Sequence, residues 1–187
     1  GNKEAVKKSL PATGNIIPPA GQKPNTALVL SASYTDKGGN NSKALTGSNS
    51  IVLRSNQLNF SGKEQIKGFT TARFNGMRFM MLPQAEGWFA LDSIDLSDVR
   101  SINLRVGWQT APTSGFELEL RLDAPDGKLL GTGKMPVPKK EDKSGVVSLP
   151  FEAVTDGQFH KLYFVYKPKP GSGTVAAAIS TVEFNEK

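Results

Sequence analysis

Asp95-Leu96-Ser97-Asp98-Val99-Arg100-Ser101-Ile102-Asn103-Leu104-Arg105-Val106 and, after a loop, Phe116-Glu117-Leu118-Glu119-Leu120-Arg121-Leu122-Asp123-Ala124-Pro125-Asp126-Gly127-Lys128-Leu129-Leu130-Gly131-Thr132-Gly133 decide the fold. Ile102, Leu104 and Val106 alternate with Asn103 and Arg105, and Phe116, Leu118, Leu120 and Leu122 alternate with Glu117, Glu119 and Arg121. A period of two places the apolar set on one face of a strand and the charged set on the other. Ala124-Pro125-Asp126-Gly127 puts proline second and glycine fourth, the chemistry of a type I turn between antiparallel strands. The segment reads as strand, strand, tight turn, strand.

The same grammar extends in both directions. Candidate strands are 26–34 and 50–54, joined across the polar stretch 35–49, then 71–82, 87–91, 101–108, 116–123, 128–135, 145–150, 160–166 and 175–184. Thr155-Asp156-Gly157 supplies a further reversal. Ala176-Ala177-Ala178 has helical character, but Thr174, Val175, Ile179, Thr181 and Val182 favour a strand. Many short strands between turn signals, with no repeat of about 20 to 50 residues, indicate a sandwich or barrel. The expected fold is all-β, a single antiparallel β-sandwich of jelly-roll type. Its core should include Leu104, Val106, Leu118, Leu120, Leu122, Leu130, Leu162, Phe164 and Val182. Residues 1–25, with Pro11, Pro18, Pro19 and Pro24, read as a linker. Leu10-Pro11-Ala12-Thr13-Gly14 matches the sortase sorting pattern, but no apolar stretch and basic tail follow it, so it is read as part of that linker. Residues 26–54 read as a leading hairpin segment and 55–187 as the jelly roll.

Composition narrows the function. The chain has no cysteine and one histidine, which removes disulfides, thiolate metal sites and a cysteine nucleophile. The net charge of +6 is uneven. Six lysines stand against Glu4 and Asp36 before residue 46, whereas the remaining chain has 17 basic and 15 acidic residues. A nucleic-acid interface concentrates charge on a folded face with aromatics between. The cluster Lys134, Lys139, Lys140 and Lys143 is interrupted by Glu141 and Asp142 and reads as a solvated loop. No nucleic-acid partner is expected, and no apolar run approaches the roughly 20 residues of a membrane-spanning helix.

Three segments resemble family 6 carbohydrate-binding modules, over residues 55–186. Gly87-Trp88-Phe89-Ala90-Leu91-Asp92-Ser93-Ile94-Asp95-Leu96 is similar to the family's strand running into an apolar-Asp-Leu step. Residues 116–133 resemble its central hairpin, and Gly157-Gln158-Phe159-His160-Lys161-Leu162-Tyr163-Phe164-Val165-Tyr166-Lys167 its glycine-histidine-leucine-tyrosine strand. The start, Tyr34-Thr35-Asp36-Lys37-Gly38 and Leu45-Thr46-Gly47, resembles a segment preceding such modules in large exported bacterial proteins. The resemblance implies a galactose-binding-like jelly roll, a secreted or periplasmic accessory module that binds a polysaccharide or oligosaccharide beside other domains of a parent protein. Family members clamp a sugar between two aromatics in a loop-built cleft, helped by an asparagine near the C-terminus. Here those places hold Phe79-Met80-Met81-Leu82, the loop 138–145 without an aromatic, and Ala177 or Ala178. The usual cleft is therefore expected to be degenerate. Leu58-Asn59-Phe60 stands where the family has a calcium-binding glutamate, and no metal or cofactor is expected.

Trp88 and Trp108 are the candidate sugar platforms, because a flat indole covers the C–H face of a pyranose. Trp108 precedes Gln109-Thr110-Ala111-Pro112, which places it at a loop rim or at the edge of the core. Trp88 sits beside Phe89 in a strand, so one of the two faces inward. His160 has no triad spacing and reads as structural. Asp92, Asp95 and Asp98 lack the spacing of a calcium loop and read as capping or turn residues. Glu117 and Glu119 share the polar face of one strand, side by side and not across a cleft, so no enzymatic activity is expected. Gly131-Thr132-Gly133 lacks the third glycine and following helix of a nucleotide loop. The alternative to glycan binding is a structural or protein-interaction β-sandwich that has lost its sugar site.

Overall fold

The computed structural model describes residues 9–11, 13, 27–39, 42–169 and 175–186. Most of the expected linker, 1–25, lies outside these residues. Among the described residues there are thirteen strands and no helix. Contacts divide the chain into two units, Gly1–Leu53 and Arg54–Lys187.

The first unit is a hairpin of β1 (Ala27–Thr35) and β2 (Thr46–Arg54). Ser31 Oγ meets Ser50 Oγ at 2.7 Å and Thr35 Oγ1 meets Thr46 Oγ1 at 2.8 Å, so steps forward in one strand match steps back in the other. The Asp36 carboxylate closes the connection by accepting from the Leu45 and Gly38 amides, at 2.9 and 2.8 Å. Those bonds hold its pKa below the ordinary carboxylate value, the Leu45 bond contributing most. The second strand starts four residues earlier than the composition indicated, because Thr46 and Ser50 pair across the strands although they are polar.

The second unit is a two-sheet sandwich. Its strands are β3 (Gln57–Leu58), β4 (Gln65–Lys67), β5 (Thr70–Phe74), β6 (Met77–Met81), β7 (Gly87–Asp95), β8 (Ser101–Gly107), β9 (Phe116–Leu122), β10 (Leu129–Met135), β11 (Ser144–Pro150), β12 (Phe159–Pro168) and β13 (Ala178–Asn185). One sheet runs β10-β9-β12-β7-β4; the other runs β11-β8-β13-β6-β5, with β3 added on β13. The paired strands are antiparallel. From β6 onward the chain crosses between sheets at every connection except β9 to β10, which is the wrapping of a jelly roll.

The alternation explains the layers. Phe116, Leu118 and Leu120 of β9, Ile102, Leu104 and Val106 of β8, and Leu162, Phe164 and Tyr166 of β12 are buried between the sheets. Of the expected core, Leu122 and Leu130 are partly buried at its margin, and the rest are inside. Phe89 of β7 stacks on Phe164 with centroids 4.6 Å apart, and Phe60 and Phe69 approach Phe89 edge-on at 5.5 and 5.4 Å. Each fully buried Leu- or Phe-sized side chain contributes about 1.5–3 kcal/mol.

The expected strand 71–82 is two strands. Asn75 (φ 48°) and Gly76 (φ 76°) form the turn between β5 and β6. Asn-Gly is the pairing that a mirror-image hairpin turn selects, and here it overrides the apolar run on either side. The Ala124–Gly127 turn forms as expected, with the Gly127 amide 3.0 Å from the Ala124 carbonyl. Gly131 and Gly133 of β10 serve packing. A Cβ on Gly133 would stand 2.5 Å from the Ser148 carbonyl and 2.7 Å from Val147 Cγ1 of β11, so only glycine admits this approach of the two sheets.

Candidate functional site

The outward face of the β10-β9-β12-β7-β4 sheet carries an ordered pattern that the register sets out row by row. Trp88 stands opposite Val165 on one side and Lys67 on the other. Val165 stands opposite Glu119, and Glu119 opposite Thr132. In the next row Ala90 pairs with Tyr163 and with Gln65, and Tyr163 with Arg121. In the row on the other side Lys167 pairs with Glu117, and Glu117 with Lys134.

At its centre Ala90, Tyr163 and Val165 form a small buried cluster with Trp88 packed against it. The Tyr163 ring meets the indole edge to face, with centroids 5.1 Å apart and planes 71° apart. Trp88 remains half-buried, so its indole is held by Tyr163 and still reaches solvent. Around it the charges neutralise one another: Lys134–Glu117 at 3.3 Å, Arg121–Glu119 at 2.8 Å, Lys161–Asp92 at 3.4 Å and Lys167–Glu86 at 2.7 Å. The result is an aromatic platform fenced by hydrogen-bonding groups fixed in pairs, suited to a ligand with apolar faces and polar edges. The carboxylates on this face are engaged as ion-pair partners.

The second sequence candidate lies elsewhere. Trp108 follows β8 and is buried, 8% exposed, within the core between the sheets. Its indole nitrogen donates to the Asp142 carbonyl at 2.7 Å. The expectation of a loop-rim platform at Trp108 is therefore corrected, because its ring is spent on packing beneath the loop 136–143. Of the residues expected at cleft positions, Met80, Leu82 and Ala177 are buried, and Phe79, Met81 and Ala178 are half-buried.

The titratable residues hold local structure. Asp95 accepts from the Ser97 hydroxyl at 2.6 Å and the Ser97 amide at 3.0 Å, and the hydroxyl bond chiefly lowers its pKa. Buried His160 lies between two carboxylates, with Nδ1 3.0 Å from Asp123 Oδ2 and Nε2 3.0 Å from Asp156 Oδ2. Burial pushes the imidazole pKa down, but its bonds to Asp156 and Asp123 outweigh this and leave it above the ordinary value. Asp123 (φ 62°) also accepts from the Lys161 amide at 3.1 Å. This clamp ties the end of β9 and the turn before β12 to β12 itself.

Tyr163 was missed as a site residue, yet its signal was present. Leu162-Tyr163-Phe164-Val165-Tyr166 is apolar without interruption, which marks a strand covered on both faces.

With this geometry in view, solved structures become informative. A family 6 carbohydrate-binding module from Clostridium cellulolyticum in complex with xylose matches 70% of this chain and 96% of its own, at TM-score 0.56 and 19% identity. The fold is that of a family 6 carbohydrate-binding module. A second such module, from Clostridium stercorarium in complex with cellobiose, matches 70% of this chain and 93% of its own, at TM-score 0.54 and 17% identity. A family 43 arabinoxylan arabinofuranohydrolase from Bacillus subtilis in complex with cellotetraose matches 71% of this chain but only 27% of its own, at TM-score 0.52 and 23% identity. No protein-family model matches the sequence, and no curated protein matches it.

Proposed function

We propose that the chain is a non-catalytic carbohydrate-binding accessory module of an exported bacterial protein, secreted or periplasmic, joined to other domains of that parent. It holds a polysaccharide or oligosaccharide on the outward face of the β10-β9-β12-β7-β4 sheet, with Trp88 as the platform. The observation that carries this reading is the Trp88–Tyr163 pair, an indole fixed edge-on yet open to solvent, on a fold whose solved relatives include modules in complex with xylose and cellobiose. The accessory role draws support from the long arabinofuranohydrolase, of which a chain of this size matches about a quarter.

In this reading the usual loop cleft is degenerate and Trp108 has no part in binding. The same facts support the second reading, a structural or protein-interaction sandwich without a sugar site, since Trp108 and Met80 are buried. A glycan array followed by affinity electrophoresis separates the two. Retention on a glycan that Trp88→Ala removes, with the variant still folded at the assay temperature, supports the sheet-face site. A folded chain retained on no glycan leaves the structural reading standing.

A further inference from the structure

β5 ends the sheet order β11-β8-β13-β6-β5, so among the described residues no strand lies along its outer edge. The other strands that end a sheet order carry features that discourage strand addition. β4 is three residues long and holds Lys67, β10 holds Lys134, and β11 ends in Pro150. β5, Thr70-Thr71-Ala72-Arg73-Phe74, has neither proline nor lysine, is exposed at all five residues and pairs with β6 without a bulge.

The register sorts the two faces of this hairpin. On one, Thr70, Ala72 and Phe74 stand opposite Met81, Phe79 and Met77. Phe74 is 69% and Met77 43% exposed, and Phe79 and Met81 are half-buried, so solvent reaches an apolar strip. On the other, Thr71 and Arg73 stand opposite Met80 and Arg78. Two cations directly opposite one another destabilise a strand pair, and neither arginine makes an ion pair among the described residues. Arg78 is nonetheless held in place. Gly62 (φ 87°) lies against its guanidinium, where a Cβ would stand 2.6 Å from Nε, and its Nη1 donates to Thr71 Oγ1 at 3.4 Å. Glu64, the carboxylate of the same loop, accepts instead from the Ser61 and Gly62 amides, at 2.6 and 2.8 Å. The arginine pair therefore keeps its charge for something outside the sandwich.

We propose that β5 is a docking edge for an extended segment of a partner protein that alternates acidic and apolar residues. A strand added there lies about 4.7–4.9 Å from β5 and sends successive side chains to opposite faces. The residue across from Arg73 meets the arginine pair, and its two neighbours meet the strip of Ala72, Phe74, Met77 and Phe79. An acidic residue between two apolar ones satisfies both faces, whereas a lysine in that place adds a third cation. Main-chain hydrogen bonds supply the affinity and the arginines the choice of partner. A second copy of the chain brings another Arg73 to the same edge and is disfavoured. This edge belongs to the sheet opposite the Trp88 face and is independent of the glycan reading.

The test is calorimetric titration of the full chain with an alternating Glu-Val hexapeptide and its Lys-Val counterpart. Two further forms of the Glu-Val peptide are N-methylated, one at the glutamates and one at the valines. The Glu-Val peptide should bind in preference to the Lys-Val peptide and slow amide hydrogen exchange at residues 70–74. One methylated form should lose binding and the other keep it, because only alternate amides of an added strand face β5. Arg73→Gln should weaken Glu-Val binding about two- to fivefold, the scale of one exposed charge contact, and Arg73→Glu should erase the preference. Melting curves establish that both variants are folded. Equal affinity for the two peptides, or Glu-Val binding unchanged in Arg73→Gln, overturns the selection of acidic segments. Binding kept by both methylated forms overturns strand addition, and a chain that binds none of the peptides overturns the whole proposal. A concentration-dependent dimer protected at residues 70–74 assigns the edge to a second copy and overturns the choice of partner.

Discussion

The indole nitrogen of Trp108 donates to the main-chain carbonyl of Asp142 at 2.7 Å, and the Trp108 amide donates to Lys143 at 3.1 Å. One side chain thus fills the core and pins the loop before β11 from beneath. Trp108→Ala should lower stability by about 3–5 kcal/mol, the usual cost of emptying a large aromatic site. Trp108→Phe keeps most of the packing and should cost less, including about 1–3 kcal/mol for the unpaired carbonyl. Denaturant unfolding measures both, and the folded Phe variant should retain any glycan affinity of the parent chain.

The His160 clamp predicts a stability profile with pH. The histidine pKa is raised in the folded state, so its contribution is complete below the unfolded value of 6.5 and is lost as pH rises through the folded value. Asp156 is shifted the other way, its largest cause the bond from the Gln158 amide. Its contribution is present above the unfolded value of 3.8 and is lost as pH falls through the folded one. Melting temperature should therefore be highest between the carboxylate and histidine ranges. His160→Gln should flatten the alkaline arm of that profile; an unchanged arm would contradict the clamp.

Gly133→Ala should destabilise by about 1–3 kcal/mol through overpacking of β10 against β11. Gly39→Ala is the control, because a Cβ there meets nothing within 4 Å. A comparison of unfolding midpoints for the two variants measures the cost of intruding on the close approach of the sheets.

Tyr163→Leu preserves a buried apolar side chain but removes the ring edge that supports Trp88. The expected loss is about 0.5–1.5 kcal/mol beyond the change in buried area, with glycan retention reduced because the indole is no longer held. Tryptophan fluorescence of a Trp108→Phe background reports the Trp88 environment directly.

Much of this was readable from the chain. The alternation of β8 and β9 and the Pro-Asp-Gly turn determine which side chains enter the core, since the pleat allows each residue only one face. Asn75-Gly76 was equally legible but was masked by the apolar residues around it, as Phe74, Met77 and Phe79 suggest a longer strand. β3 and β4, of two and three residues, were not legible because segments so short have no period. Their pairing is dictated by β13 and β7.

The roles of the tryptophans required the tertiary structure. Local order determines that Trp88 and Phe89 point to opposite sides of β7, but not which side is the core. That depended on β12 placing Phe164 beside Phe89 on the inner face and Tyr163 against Trp88 on the outer one. Likewise nothing near Trp108 in the chain announces the Asp142 carbonyl, 34 residues away, that captures its nitrogen. The sequence by itself determined an antiparallel sandwich with alternating faces, because side-chain direction along a strand is a local property. Which aromatic is buried, which reaches solvent and which charges stand beside it were decided by strand order and register, because these bring together residues from β4, β7, β9, β10 and β12.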